Sequence, residues 1–537
     1  MSARAAAITS STVLPPATPP SAGAASGADQ RIDPRRLVAF LAMVFGMFMA
    51  ILDIQIVSAS LTEIQAGLAA SSDEISWVQT AYLTAEVVAI PLSGFLSRAL
   101  GTRALFAISA AGFTIASFMC GLSGSINEMI VWRAIQGFIG GGMIPTVFAT
   151  AYIIFPGRQS VITPLIGLVA TLAPTIGPTV GGYLTDALSW HWLFFINVVP
   201  GVIVTAATLI LVDFDKPNLK LLENFDWVGL ISMGGFLGAL EYVLEEGPRN
   251  DWLQDDTIAL FATVSFISAI VFFMRVLTAR EPIVDLSAFT NRNFALGSLF
   301  SFVLGIGLYG LTYLYPVYLG QIRGYDALMI GETMFVSGLA MFLTAPIAGK
   351  LASRYDPRYL LIAGFLFFAL GTWQMTWLTK DWDFYELLWP QIFRGVGLML
   401  AIIPITNVAI GTLAPERVKN ASGLFNLMRN LGGAVGLAAL NTMLDDRIDL
   451  HIARLHEAVT WSRGAAVETL NNMTARFSGS DAPAMALKQL TQYVHQQATV
   501  MAFADVFLML TVVFAVLAVA GLVMKRPAPV GGGAGGH

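Results

Sequence analysis

The sequence predicts an all-α integral membrane protein with fourteen transmembrane helices, and three observations carry that expectation. Of its 537 residues 56% are hydrophobic and only 12% charged, a balance that excludes an ordinary soluble enzyme. The apolar residues gather in fourteen runs of about 20 or more, the length a helix needs to cross a hydrocarbon core about 30 Å thick. Each run is too long for a barrel strand and many are rich in Gly, Ala and aromatics, so a helical bundle is expected and not a membrane barrel.

In chain order the expected spans are 37–57, 76–97, 104–124, 127–149, 161–184 and 191–212, then 227–246 and 257–277, then 294–319, 328–350, 359–379, 384–412, 421–443 and 503–524. Residues 1–36, rich in Ala, Ser and Pro and without the apolar core of a signal peptide, read as a disordered tail, and 525–537 as a flexible end. With residues at helix ends counted among the loops, nineteen of the 30 Lys and Arg fall on the side of the N-terminus, eight on the other side and three inside spans. Five of those eight lie in one long loop, where the positive-inside rule has little force, so both termini are expected in the cytoplasm. Cys120 is the only cysteine, which excludes an internal disulfide and a multi-cysteine metal site. No G-x-x-x-x-G-K-[ST] phosphate loop, nucleophile elbow or H-E-x-x-H occurs, so neither ATP-driven pumping nor these enzyme chemistries are expected. No cofactor, metal or nucleic-acid partner is expected either.

The chain repeats itself. Pro91, Gly94 and Arg103 recur 255 positions later as Pro346, Gly349 and Arg358, and Pro145, Pro156 and Arg158 recur 259 positions later as Pro404, Pro415 and Arg417. An even number of spans separates the matched pieces, so they are parallel repeats, as in two six-helix bundles related by an axis along the membrane normal. The expected organisation is a tail at 1–36, one bundle at 37–212, an insertion with a linker at 213–293, a second bundle at 294–524 holding a long loop at 445–502, and a second tail at 525–537.

Four patterns give a family resemblance over residues 37–524: LDIQIVSASLTEI at 52–64, GFLSRALGTR at 94–103, WRAIQG at 132–137, and GPTVGGYLTD at 177–186 with the WHWLFFIN that follows. In their order and spacing they resemble the major facilitator superfamily in its fourteen-helix drug:proton antiporter branch, the EmrB and QacA type. The resemblance implies the major facilitator fold and proton-coupled export of amphipathic compounds across the inner membrane by alternating access. A nutrient or metabolite symporter of the same fold is the alternative, though it would not need the fifth-span motif.

In the fifth span Pro174 and Pro178 lie four apart on one face, and each removes a backbone donor, which bends a helix or frees carbonyls. Gly177 and Gly181, with Gly182 beside them, form a small-xxx-small surface for close helix approach. A simple packing kink is one reading; the resemblance implies the other, an outer gate that closes and reopens during antiport. In the loop at 94–103, Gly94, Gly101 and Arg103 match the family pattern, whereas Arg98 occupies its usual acidic position and Ser353 does so in the repeat. The family's acid-to-arginine latch is therefore missing as such, and an inner gate must use other partners. Gln55, Ser58 and Thr62 stand where the branch usually has Thr, Asn and Pro, which leaves the substrate type open.

A charge at mid-membrane costs about 2.5–3.5 kcal/mol on insertion scales, so each is a functional candidate. Glu86 lies ten residues into the second span, where binding a proton removes the penalty of its charge; it is the expected proton carrier, with permanent pairing to an Arg or Tyr as the alternative. Asp53, toward the outer end of the first span, reads equally as a second proton site or a helix-end residue among headgroups. Arg133 matches the family arginine, and the resemblance implies proton coupling or a tie between the fourth and first spans; arginine keeps its proton, so it acts through its field. Arg394 and Arg429 are read as second-half counterparts or as donors to backbone carbonyls, and Glu241 as structural or as part of a lateral entry. In the long loop, HIARLHEAVTW and ALKQLTQYVHQQ have helical apolar spacing, so two short amphipathic helices are expected. The resemblance implies docking of a periplasmic adaptor, with an outer-membrane channel beyond it; a solvated cap is the alternative.

Overall fold

The computed structural model describes residues 33–523 apart from Asn224, Arg280, Glu281 and 478–480. The expected tail at 525–537 and all but the last four residues of that at 1–36 lie outside the described residues. The described α-helices are α1 (Pro34–Ala59), α2 (Leu61–Leu68), α3 (Ser72–Leu100), α4 (Thr102–Leu122), α5 (Ile126–Gly140), α6 (Met143–Ile154), α7 (Gln159–Ala187), α8 (Trp192–Phe195), α9 (Val198–Leu211), α10 (Trp227–Glu246), α11 (Asp256–Thr278), α12 (Arg292–Gln321), α13 (Ala327–Arg354), α14 (Pro357–Gln374), α15 (Phe384–Ile410), α16 (Pro415–Ala458), α17 (Gly464–Thr474) and α18 (Ala482–Ala520). Their starts follow local chemistry: Asp33 accepts from the Arg35 amide ahead of α1, and Ser71 and Glu74 close a capping box on α3. The face of the bundle that holds Pro34 is called the near face and the opposite one the far face.

Among the described residues, thirteen helical segments are long and apolar enough to span a membrane. The fourteenth crossing is α16, which lies between α15 and α18 and whose Asn420, Asn426, Arg429 and Asn430 lower its apolarity. The fourth span is broken at Gly141 and Gly142 into α5 and α6, and the sixth at Ile196 and Asn197 into α8 and α9. α7 runs unbroken through Pro164, Pro174 and Pro178; the hydroxyls of Thr171 and Thr175 bond back to the carbonyls of Gly167 and Thr171 at 2.8 and 2.9 Å, a pattern that tends to bend a helix without ending it.

One bundle is built from α1 and α3–α9, the other from α12–α16 and α18. They meet along two seams, α3 on α16 and α7 on α13. α10 lies on α3 and also touches α16, so it straddles the first seam. α11 packs on α10 and is otherwise outside the bundle, largely exposed along its length where α15 is largely buried.

The two separate amphipathic helices expected in the long loop are not separate. HIARLHEA is the far end of α16, and ALKQLTQYVHQQ lies in the first half of α18. At 1.5 Å per residue the 44 residues of α16 extend about 66 Å, roughly twice the hydrocarbon thickness, so it stands well clear of the far face. Continuing a formed helix avoids a second nucleation. α18 packs alongside it, His451 meets Asp505 at 2.9 Å and Arg447 meets Asp505 at 3.5 Å, and only α17 is a new short helix.

Candidate functional site

A fully buried polar network lies at the centre of the first bundle. Arg133 and Gln136 are three apart on α5 and so share a face. Gly137 follows them, and a Cβ there would meet the backbone of Tyr82; without one, α5 reaches the backbone of α3. That approach lets Arg133 Nε donate to the Val78 carbonyl at 3.2 Å and sets its guanidinium 4.2 Å from the Tyr82 ring centroid. Nη1 then meets Asp53 Oδ2 of α1 at 2.6 Å and Gln136 Oε1 at 2.8 Å. The break before α9 presents Asn197, which donates to Asp53 Oδ1 at 2.7 Å and to Ser117 Oγ at 3.1 Å. Both charged side chains have zero exposure. The expectation of Asp53 among headgroups is thus corrected: it is an interior group held by Arg133 of α5 and by Asn197. A charge so placed is tolerable only with its counterion and hydrogen bonds in place.

Glu86 lies one turn beyond Tyr82 on the same face of α3. It is buried, and it forms no hydrogen bond or ion pair among the described residues. Arg133 and Asp53 are among its electrostatic neighbours. The alternative of a carboxylate permanently paired with an Arg or Tyr is therefore not what α3 presents. Gly141, whose Cβ would stand 3.0 Å from the Glu86 carbonyl, holds the α5–α6 break against this turn.

The second bundle repeats the geometry with altered charge. At an offset of 258, Arg133 corresponds to Gln391, Gln136 to Arg394 and Gly137 to Gly395; the order of arginine and glutamine is exchanged. Gly395 fits against the Ser337 carbonyl of α13 as Gly137 does against Tyr82 of α3. Arg394 Nη2 donates to Thr312 Oγ1 at 2.5 Å, Nη1 to Gln391 Oε1 at 3.4 Å, and the guanidinium lies 5.7 Å from the Tyr315 centroid. No carboxylate reaches it among the described residues. Arg429 on α16 lies 5.3 Å from the Phe148 centroid and 5.2 Å from that of Phe425, with Nε and Nη2 enclosed and unbonded, so donation to backbone carbonyls is not its role here. Glu241 is buried on α10 with Oε2 unbonded.

The glycines of the fifth-span motif face α1. A Cβ on Gly181 would stand 2.7 Å from the Ile56 carbonyl oxygen, and one on Gly177 would collide with Gln55. The other side of α7 meets α13, where Gly331 accommodates Thr179 and Gly338 lies against Thr175 and Leu172. Gly182 is half-buried beside them.

On the near face an acid from outside the loop motif ties the bundles. Gly101, at φ +82°, turns the chain between α3 and α4. Asp215, after α9, accepts from the Thr102 amide at 2.9 Å and Oγ1 at 3.1 Å and pairs with Lys419 of α16, whose Nζ also donates to the Ser97 carbonyl at 3.1 Å. Gly94 lies against Asn420, and Asn420 bonds the Asp285 carbonyl at 2.7 Å. Near the same face, Asn407 Oδ1 of α15 accepts from Tyr152 and Thr163 of the first bundle, each at 2.8 Å. Arg98 stacks 5.8 Å from the Phe95 centroid and Arg103 is exposed. Asp215, Lys419, Asn197, Ser117, Gln136 and Thr312 were not singled out from the sequence; of these only Gln136 and Asn197 lie in quoted motifs.

Residues 43–437 match the model of the Major Facilitator Superfamily. The chain belongs to the major facilitator superfamily. Within the superfamily it is 42% identical over 490 residues to the colistin resistance protein EmrB of Acinetobacter baumannii, covering 91% of this chain and 96% of that protein. It is 31% identical over 502 residues to the multidrug export protein EmrB of Escherichia coli K12, covering 92% and 96%, and 30% identical over 499 residues to the fatty acid resistance protein FarB of Neisseria gonorrhoeae, covering 93% and 97%. The crystal structure of the human organic anion transporter MFSD10 superposes with a TM-score of 0.56 at 12% identity, covering 90% of this chain and all of that one, a likeness of fold. The superfamily match takes in Asp53, Glu86, Arg133, Arg394 and Arg429 and ends within α16, short of α17 and α18. The chain is thus a multi-pass membrane transporter.

Proposed function

We propose that the protein is a proton-coupled exporter of amphipathic compounds working by alternating access in the inner membrane, with the near face and both termini in the cytoplasm. The observation that carries this reading is Glu86, a membrane-buried carboxylate without a partner beside the closed Asp53–Arg133 pair. As a carboxylate it is costly there; as a carboxylic acid it is not, so proton binding changes which conformation the first bundle favours. Arg133 biases Glu86 through its field, and Asp53 holds Arg133 in place and is available as a second acceptor. Pro174, Gly177, Pro178, Gly181 and Gly182 serve the outer gate between α7, α1 and α13. Gly94, Gly101 and the Asp215–Lys419 tie serve the inner one, with Arg98 and Arg103 on its cytoplasmic surface.

The organisation that fits this cycle is a moving bundle at 37–212, an insertion at 213–293 and a second bundle at 294–524. Relatives named for multidrug export, colistin resistance and fatty acid resistance support amphipathic substrates. The projecting α16, α17 and α18 suit docking of a periplasmic adaptor that leads to an outer-membrane channel. Deleting 455–495 while export and adaptor crosslinking both persist would remove the docking role.

The deciding experiment uses inverted vesicles with a pre-formed acid interior and a panel of amphipathic compounds. Compound-dependent collapse of the gradient in the wild type and its loss in Glu86→Gln is the expected result. Equal collapse in both leaves antiport standing and moves the carrier to Asp53; no collapse in the wild type defeats the antiport reading.

A further inference from the structure

The last turns of α10 and the turn that follows them face the far part of α16 across a cavity of about 480 Å³, within the range of about 300–1,000 Å³ that ordinarily holds a small ligand. Its floor is apolar, made by Leu244 of α10 and by Val435, Ala438 and Ala439 of α16, and its outer end is charged, at Asp446 and Arg447. From Val435 to Arg447 is about 18 Å of helix. The apolar runs of the two helices end at 246 and 443, so the floor lies at acyl-chain depth and the charged end at headgroup depth on the far side. Ala439 and Asp446 are exposed, so the cavity is open along its length.

Trp252 forms the wall supplied by the insertion. Asp251 and Trp252 both hold left-handed backbone, at φ +51° and +56°, where a residue other than glycine is strained. That turn sets the indole against Gly247, whose Cβ would stand 2.8 Å from the ring, and lets Nε1 donate to Thr442 Oγ1 of α16 at 3.0 Å. An indole with its polar edge satisfied at this depth is an ordinary interfacial anchor. α10 is itself tied to the first bundle by Thr80, which donates to Glu246 Oε1 at 3.1 Å. The cavity therefore separates the insertion from the second bundle.

The charged end discriminates among occupants. Arg447 forms no hydrogen bond among the described residues, and its ion contact, 3.5 Å to Asp505 Oδ2, is to an oxygen that His451 already meets at 2.9 Å. Its guanidinium thus keeps donors for a phosphate. Asp446 forms no hydrogen bond or ion pair among the described residues, and Asp445 and Asp449 are exposed beside it, so 445–449 sets three acids against one base. Such a rim repels an anionic headgroup and suits one that joins a primary ammonium to its phosphate.

We propose that this cavity holds one phosphatidylethanolamine molecule of the far leaflet, an acyl chain lying along Val435, Ala438 and Ala439, the phosphate at Arg447 and the ammonium at Asp446. The lipid joins the inserted pair to the second bundle beside the bond from Trp252 to Thr442. This assignment is independent of how transport is energised.

The test titrates delipidated full-length protein in detergent with dioleoyl phosphatidylethanolamine and with the phosphatidylcholine and phosphatidylglycerol of the same chains. Native mass spectrometry reads bound lipid, and thermal unfolding reads its effect. One ethanolamine lipid per chain is expected, at least about tenfold tighter than either of the others and with a raised unfolding midpoint. Ala439→Trp, which fills the cavity from an exposed position, should lose that lipid. Asp446→Asn, at an exposed and unpaired side chain that folding does not need, should weaken the ethanolamine lipid about tenfold and leave phosphatidylglycerol unchanged or tighter. Equal binding of the three lipids overturns the proposal, because an unselective annulus behaves that way. So does ethanolamine lipid bound as tightly by both variants as by the wild type, which places it elsewhere, or none bound by the wild type.

Discussion

Arg394 donates to the hydroxyl of Thr312 at 2.5 Å, in the second-bundle position where the first bundle sets Arg133 against the carboxylate of Asp53. The duplication thus keeps a buried guanidinium in both halves and keeps its counterion in only one. One bundle pairs its buried guanidinium with a carboxylate, while in the other the described residues satisfy it with dipoles and an aromatic face.

If that asymmetry is electrostatic, giving Arg394 an acid should stabilise the fold without adding coupling. Thr312→Asp is expected to gain about 1.5–3 kcal/mol through a charged hydrogen bond, less the cost of burying the acid. Thermal unfolding in detergent measures the gain; a net loss would show that the site has no room for a carboxylate.

For the Asp53–Arg133 pair, removing one partner strands the other in the interior. Asp53→Asn and Arg133→Ala are each expected to cost about 3–5 kcal/mol, and Asp53→Leu combined with Arg133→Met much less than the sum of the single losses. A double-mutant cycle on unfolding midpoints checks this, and the double variant should remain uncoupled although it folds.

Gly181→Ala sets a methyl group 2.7 Å from the Ile56 carbonyl oxygen, and no flexible side chain is there to give way. The expected cost is about 1–3 kcal/mol of overpacking between α7 and α1. Export should fall while membrane insertion is retained; normal export would show that this approach is not needed in the cycle.

At the near face the Asp215–Lys419 pair is partly exposed, with side chains at 21% and 13%. Asp215→Asn should therefore shift the closed state by no more than about 1 kcal/mol, roughly fivefold in population. The native Cys120 is buried, so thiol labelling of a Ser97→Cys reporter, at a buried position beside Lys419 whose hydroxyl is unbonded, reads the change as faster modification.

Outside the spans, the Tyr325 hydroxyl and the Phe384 amide bond Asp383 and hold its carboxyl below the usual carboxylate range. A depressed folded value contributes stability that is complete above the unfolded value and is lost as pH falls through the folded one. Amide exchange at Phe384 and along the first turn of α15 should rise only in that acid window, and Asp383→Asn should remove the pH dependence.

Much of the fold was legible because lipid imposes a coarse rule: runs of about 20 apolar residues become helices, and their loops carry the Lys and Arg. The duplication was legible because Pro91, Gly94 and Arg103 recur as Pro346, Gly349 and Arg358 at nearly the offset of the later set. Glu86, Asp53 and Arg133 stood out because charge within such runs is costly. The helical continuation of α16 into HIARLHEA was not legible, since an amphipathic segment after a span reads the same whether or not the helix breaks between them.

The sequence by itself determined the spans, the two bundles and the buried charges, because each depends on local composition measured against a uniform solvent. The tertiary structure decided which charges are paired. Asp53 meets Arg133 and Asn197 across 80 and 144 positions, Asp215 meets Lys419 across 204, and Glu86 and Arg429 meet no counterion among the described residues. Such pairings depend on which helix faces come together at Gly137, Gly181 and Gly395, where a missing Cβ lets backbones touch, and spacing along one chain carries no record of that choice.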